Sequence, residues 1–183
     1  APSPQSLSMV HSALAGFAFI RRSPILLGCL SLDLVSNFFG SVVALLPIFA
    51  ADILHVGAWG HGMLRSAPAI GSLMVAAAMA RWPVRRAGGV WLFAGFALYG
   101  GATLAFAFSD NFILSLVLLV LVGAGDLMSA IIRQIQIQVS TPDGMRGRVY
   151  SVNSVFVMTG GQLGQFESGI TAAWFGTVGS VIL

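Results

Sequence analysis

The sequence predicts an all-α, polytopic transmembrane helix bundle. The prediction rests on the hydrophobic fraction, on the charged fraction and on the pattern of the apolar residues. Hydrophobic residues make up 57% of the 183 residues and charged residues only 8%, whereas soluble domains usually carry about 25% charged residues. So few charges could not cover the surface of a water-soluble fold, so lipid is the expected solvent. Apolar residues run without a break in stretches such as FILSLVLLVLVGAG, which favours helices over the alternating strands of a membrane barrel.

A lipid-spanning helix needs about 20 mostly apolar residues, and five segments have this character. The spans differ in the polar residues that they contain. The third span contains no charged residue and no amide, whereas the fifth contains several amides and a glutamate. The first span contains two polar residues, the second an arginine and the fourth one carboxylate. In chain order the predicted spans are Ile25–Ala51, Gly60–Ala80, Gly89–Phe108, Phe112–Ile132 and Tyr150–Phe175, and Val178–Leu183 would open a sixth.

Residues 1–24 are predicted to form a linker segment that precedes a bundle of residues 25–183. Within the linker, Leu7, Val10, Leu14 and Phe17 recur at helical spacing before Arg21 and Arg22, as in an amphipathic helix that lies at a membrane surface. The chain begins APSPQSLSM and ends within the apolar run TVGSVIL. We therefore expect it to be a piece of a longer membrane protein.

The distribution of arginine predicts the orientation of these spans. Eight of the nine basic residues precede the first span or lie in alternate loops, and the intervening loops ADILHVGAW and SDN contain none. This is the asymmetry that the positive-inside rule describes, so the linker and the arginine-rich loops are expected to be cytoplasmic. The basic charge therefore does not require a nucleic-acid partner.

Several classes of function are disfavoured by what the sequence lacks. It has no lysine, which excludes a Walker A phosphate loop. The single cysteine, Cys29, cannot form an intramolecular disulfide or a metal-spaced pair, and the three histidines are scattered (His11, His55, His61). No catalytic constellation, cofactor or metal site is predicted, and the protein is not expected to be an enzyme.

Ionisable groups within the spans are the candidate functional residues, because a charged side chain at bilayer depth costs roughly 2.5–3.5 kcal/mol and is rarely idle. At about 1.5 Å per residue, Asp33 lies roughly 12 Å inside the first span, with Asn37 one turn further on the same face. Asp126 belongs to the cytoplasmic half of the fourth span, and Arg133 follows it on the same face at the expected inner mouth. Arg65 and Glu167 complete the predicted substrate or proton pathway.

The depths of Arg65 and Glu167 below the outer ends of their spans differ by only about 4 Å. They are therefore candidates for an ion pair that faces a polar cavity. Four of these positions also have a structural interpretation. Asp33 and Asn37 could form hydrogen bonds that connect two helices, and Asp126 could belong to a packing contact beside the small residues of VGAG. Arg65 could extend its charged end to the membrane interface.

The stretch RQIQIQVSTPDGMRGRVYSVNSVFVMTGGQLGQFESGITAAWFG, together with LDLVSNFFGSVVALLPIFA and GMLRSAPAIGSLMVAA, resembles the enterobactin-exporter-like, or transmembrane secretion effector, branch of the major facilitator superfamily. The resemblance covers about Gly16 to Leu183. It implies the C-terminal half of a twelve-helix transporter, with helices seven to eleven and the start of twelve. In that fold the third helix of each triplet faces lipid, which agrees with the charge-free third span.

The resemblance further implies a bacterial inner-membrane exporter of drugs or siderophores, coupled to protons and working by alternating access with the N-terminal half of the same protein. One departure concerns the loop AMARWPVRRAG, where Ala80 stands in place of the family's acid before Arg81. A gate at the next cytoplasmic loop is the better candidate, formed by Arg133, Asp143, Arg146 and Arg148; the alternative is that these charges only set the orientation of the helices in the membrane. There Thr141 is expected to cap a helix that has Pro142 at its first position.

The function predicted is therefore secondary active transport of a small molecule across a lipid bilayer. The alternative is a scaffold or receptor that keeps the transporter fold but transports nothing.

Overall fold

The computed structural model describes residues 16–39, 46–82 and 88–182, and every regular element within these ranges is helical. The all-α prediction is confirmed for this part of the chain. A short helix, 16–22, precedes five long helices. They are α1 (Pro24–Phe39), α2 (Ala58–Arg81), α3 (Gly88–Ala107), α4 (Phe112–Ser140) and α5 (Arg146–Ile182).

Residues with particular backbone chemistry mark the helix ends. Pro24 begins α1 directly after the break at Ser23, a position where the missing N–H of proline costs nothing. Asn111 caps α4, because its Oδ1 accepts hydrogen bonds from the N–H groups of Ile113 at 2.9 Å and Leu114 at 3.2 Å. This cap fixes the start of the helix that carries most of the candidate site.

The observed ends depart from the predicted spans in three places. The first predicted span is helical over 24–39 and 46–48 and continues as a π-helix at Phe49–Ile53, while residues 40–45 lie outside the described part. The fourth helix runs eight residues past its predicted end at Ile132. The predicted opening of a sixth span is not confirmed, because residues 178–182 continue α5.

By length and composition, α2, α3 and α4 are each apolar enough to cross a membrane. The second, third and fourth predicted spans therefore correspond to helices of spanning length. Helix α1 is shorter, at 16 residues. Helix α5 is the longest, at 37 residues, or about 55 Å at the usual helical rise. It contains more polar residues than α2, α3 and α4 and is not among the helices apolar enough to cross a membrane by this measure.

Helix α4 lies at the centre of the bundle and packs against α2, α3 and α1, while α5 packs mainly on α1. Two glycines of α4 permit the close contacts. A Cβ at Gly123 would overlap the carbonyl oxygen of Pro68 in α2, and a Cβ at Gly125 would lie 2.6 Å from the backbone nitrogen of Tyr99 in α3. The expectation that VGAG is a packing element is thus confirmed.

Two apolar clusters fill the bundle, one at each end. The arginine-end cluster joins the short helix to α1, α4 and α5, and the distal cluster joins the π-helix to α2, α3 and α4. The arginine-end cluster contains Ile20, Leu26, Cys29, Leu30, Ile137, Val149 and Val152, and the distal cluster contains Leu46, Phe49, Ala50, Leu64, Ala67, Phe106 and Leu119. Along α4 the segment between Leu119 and Ile137 carries Asp126, Ser129 and Arg133.

The close contact at Gly123 is expected to be intolerant of any side chain. Gly123→Ala forces a methyl group into the backbone of α2, and overpacking of this kind costs about 1–3 kcal/mol. Thermal unfolding of the detergent-solubilised protein measures the loss. Gly101→Ala in α3 is the matched control, because a Cβ there meets no atom within 4 Å and alanine favours a helix. Equal stability of the two variants would contradict the packing at Gly123.

Candidate functional site

A buried ion pair lies between α1 and α4. The Nε of Arg133 is 2.7 Å from the Oδ1 of Asp33, and only 3% and 8% of the two side chains are exposed. Charges so far from water are tolerated only when an opposite charge lies against them, because desolvation costs several kcal/mol per ion. The pair therefore fixes α1 against α4 at this level of the bundle.

The guanidinium of Arg133 makes two further contacts. Its Nη1 donates a hydrogen bond to the Oγ of Ser129 at 3.1 Å, and the Ser129 hydroxyl donates to the backbone carbonyl of Asp126 at 2.8 Å. Its Cζ lies 5.0 Å from the centre of the Phe96 ring of α3, within the range of a cation–π contact. Arg133 therefore connects α1, α3 and α4 through one side chain.

Asp126 lies near this pair but is not part of it. Its side chain is exposed, and it forms no ion pair within the described ranges, where the ion pairs are Arg133–Asp33 and Arg146–Asp143. The Asp126 carboxylate interacts electrostatically with Arg133 and with Tyr99 of α3. The two acids predicted for the cytoplasmic half thus have different surroundings: Asp33 is paired and buried, and Asp126 is open.

The predicted pairing of Arg65 with Glu167 is not formed. Arg65 is exposed on α2 and Glu167 is half-buried on α5, and neither enters an ion pair in the described part of the chain. The physical reason is the packing order, in which α2 lies on α4 and α5 lies on α1. Similar depth in a membrane does not make two helices neighbours.

Arg133 lies in the interior of the bundle rather than at the predicted inner mouth. Helix α4 continues to Ser140, so Arg133 is seven residues before its end, at about the depth that Asp33 has in α1. The polar side chain of Asn37, the predicted companion of Asp33, lies outside the described residues.

The other three gate residues lie at the surface next to the start of α5. The Nη1 of Arg146 is 2.8 Å from the Oδ1 of Asp143, an exposed pair, and Arg148 is exposed beside Met145. The predicted cap at Thr141 is wrong. Thr141 ends α4, and its Oγ1 donates to the carbonyl oxygen of Ile137 at 2.6 Å, so it satisfies a C-terminal carbonyl instead of an N-terminal amide.

A family model described as "Major Facilitator Superfamily" matches residues 2–165. The chain belongs to the Major Facilitator Superfamily. Comparisons with curated proteins and with solved structures returned no match. Superfamily membership and the apolar helices make this a multi-pass membrane protein of a transporter family.

The ion pair and Asp126 lie within the residues that this family model matches. The match supports the superfamily, and the narrower enterobactin-exporter-like branch stays a prediction. The described residues contain no group of three His, Cys, Asp or Glu side chains that could hold a metal ion. The polar groups at this site are the carboxylates of Asp33 and Asp126, the guanidinium of Arg133 and the hydroxyl of Ser129.

Sequence reasoning missed Ser129 and Phe96, and it missed that Asp33 pairs with Arg133. Ser129 was detectable, since it lies four residues before Arg133 and three after Asp126, on the same helical face. Asn153 of α5 is buried, and its Oδ1 has no hydrogen-bond partner among the residues that the structure describes. Phe96 carries no signal in a helix as uniformly apolar as α3.

The buried pair predicts strong coupling between its two members. Arg133→Met leaves the Asp33 carboxylate buried without its cation, and Asp33→Leu leaves the guanidinium without its anion. Each change is expected to cost about 3–5 kcal/mol of unfolding free energy, while the double variant costs far less than the sum. Denaturant unfolding in detergent measures the cycle. Additive losses would show that the two side chains act independently, and Arg133→Lys should lose less than Arg133→Met.

Proposed function

We propose that this chain is the C-terminal half of a secondary active transporter that moves a small molecule by alternating access. The observation that carries the proposal is the exposed carboxylate of Asp126, within a helix of spanning length and close to the buried Asp33–Arg133 pair. Ionisable groups at such depth are functional by default, since they are costly in lipid. Membership in a transporter family supports the same function.

In this proposal the N-terminal half of the same protein completes the cavity. The two halves rock about a midplane site and expose it to each side in turn. Residues 1–24 serve as the linker between halves, and residues 25–183 supply helices seven to eleven. The chain acts through binding and movement, without a cofactor and without a catalytic residue.

The substrate and proton pathway comprises Asp33, Asn37, Arg65, Asp126 and Glu167. Protons load and unload on the carboxylates as the cavity opens to either side, which couples the proton gradient to export of a drug-like molecule or a siderophore. The proposed cytoplasmic gate is formed by Asp143, Arg146 and Arg148, which lie at the surface beside the start of α5, while Arg133 lies in the interior of the bundle. The exposed Arg146–Asp143 pair is weak by nature, so it can break as the halves move.

The proposed location is the inner membrane of a bacterium, with the short helix and the arginine-rich loops on the cytoplasmic side. The exposed Arg21, Arg22, Arg146 and Arg148 support this orientation. The short helix lies against the start of α5, because a Cβ at Gly16 would approach the Arg148 carbonyl oxygen to 2.9 Å. Charges from both segments therefore gather at one end of the bundle.

A scaffold or receptor that keeps the fold is the second candidate. The observation in its favour is the burial of the Asp33–Arg133 pair, since an ion pair that water does not reach can serve to hold two helices together. A scaffold requires no exposed carboxylate, so Asp126 is the feature that separates the two functions.

The test is transport by the full-length protein in proteoliposomes with an imposed proton gradient. Efflux of fluorescent drugs and of iron-free siderophores is measured with proton flux, for the wild type and for Asp33→Asn, Asp126→Asn and Glu167→Gln. We expect at least one neutralised variant to lose proton-coupled efflux, because its carboxylate no longer exchanges a proton.

Asp110→Asn, in the exposed loop before α4, is the matched control and should transport normally. Normal transport by all three pathway variants would overturn the proton mechanism. A wild-type protein that folds, inserts and moves no solute would favour the scaffold.

A further inference from the structure

The short helix 16–22 packs with one face on the start of α5. A Cβ at Gly16 would approach the carbonyl oxygen of Arg148 to 2.9 Å and a methyl carbon of Val152 to 3.2 Å. Ile20, one turn further on the same face, is buried in the arginine-end cluster together with Val152. Gly16 and Ile20 therefore turn one face of the short helix toward the bundle, and its other side is exposed.

The exposed side of the short helix combines positive charge with apolar surface. Arg21 and Arg22 are exposed at its end, and Arg148 is exposed on the first turn of α5. Phe17 is exposed one turn before Arg21, and Ile25 is exposed in the first turn of α1. Because the whole short helix is only about 10 Å long, its two arginines stay close to the start of α5.

These three arginines have no acid in direct contact among the residues that the structure describes. The ion pairs there are Arg133–Asp33 and Arg146–Asp143, so the acid that precedes α5 is already paired with another arginine. Each guanidinium presents five N–H donors in a plane that matches the oxygen atoms of a phosphate. An edge of a membrane protein with several such groups attracts anionic headgroups.

We propose that this edge binds an anionic phospholipid, and we call it the short-helix surface. It comprises Phe17, Arg21, Arg22, Ile25 and Arg148. The arginines contact the phosphate of the headgroup, and the two apolar side chains lie against the acyl chains. Exposed apolar groups beside the arginines favour a lipid over a soluble phosphate, which has no apolar part to bury. The inference goes beyond transport and does not depend on it.

A general attraction of the basic end of the bundle to an anionic membrane is the alternative. In that case every exposed arginine at this end contributes equally, since each charge near the surface adds a similar energy. Arg81 offers the comparison. It is exposed in the last turn of α2 and forms no ion pair within the described ranges, but its helix packs mainly on α4.

The experiment counts the lipids bound to the purified full-length protein by native mass spectrometry. The protein in detergent is titrated with phosphatidylglycerol or with phosphatidylcholine of the same acyl chains, so the two probes differ in headgroup charge. We expect the wild type to bind phosphatidylglycerol about tenfold more tightly or better. Arg148→Gln should weaken this binding about fivefold, and Arg21→Gln combined with Arg22→Gln should weaken it further. Arg81→Gln is the matched control and should bind as the wild type does.

Equal losses in Arg81→Gln and Arg148→Gln would show general attraction and overturn the inference, as would a wild type that binds both lipids alike. Thermal unfolding of each variant reports whether it folds. Should a variant fail to fold, stabilisation of the wild type by phosphatidylglycerol over phosphatidylcholine, with glycerol 3-phosphate as competitor, still decides between a lipid site and none.

Two further arms separate a lipid from a free phosphate. Glycerol 3-phosphate carries the phosphate without acyl chains and should not displace the bound lipid, and Phe17→Ser should weaken phosphatidylglycerol binding because an apolar contact is lost. Displacement by glycerol 3-phosphate, or unchanged lipid binding in Phe17→Ser, would contradict the lipid assignment. The assay requires no transport, so a protein that binds the lipid here but moves no solute would refute the proposed function and leave this inference standing.

Discussion

A guanidinium inside an apolar bundle needs an opposite charge against it, and the contact of Arg133 with Asp33 meets that constraint. The pair excludes arrangements of α1 and α4 that would separate the two groups, because an unpaired charge at this depth is far more costly than the apolar contacts that surround it. Phe96 and Ser129 occupy the remaining sides of the guanidinium. Three helices are therefore held in register by one side chain, and the arginine-end cluster packs beside them.

Close backbone contact is the second constraint, and it acts through α4. Gly123 faces α2 and Gly125 faces α3, so two helices approach α4 from either side of a three-residue segment. Ser72 strengthens one of these contacts, since its hydroxyl donates to the carbonyl oxygen of Gly123 at 3.1 Å. In lipid there is little hydrophobic gain from helix association, so such packing and hydrogen bonds carry the stability. Asp126 follows Gly125 directly, and its position is set by these contacts.

Much of the fold could be predicted from hydropathy, whereas the partner of Asp33 could not. Apolar length identified α2, α3 and α4, and the small residues of VGAG were recognised as packing elements. Hydropathy ended the fourth span at Ile132, because Arg133, Gln134 and Gln136 follow. The true end at Ser140 moves Arg133 into the bundle and to the depth of Asp33. Similar depth in the membrane also predicted an ion pair of Arg65 with Glu167 that does not form, because depth alone does not show which helices are neighbours.

The polar layer between the two apolar clusters is not explained by packing. Well-packed apolar residues of similar volume in place of a buried ion pair are often neutral or stabilising, so a bundle selected only for stability gains nothing from Asp33 and Arg133. Asn153 of α5 is also buried, and its Oδ1 has no hydrogen-bond partner in the described part of the chain, at a cost of about 1–3 kcal/mol. Asp126 adds an exposed carboxylate to the face of α4 that is otherwise buried. The polar layer therefore weakens the bundle at one level, while the two apolar clusters stabilise it on either side.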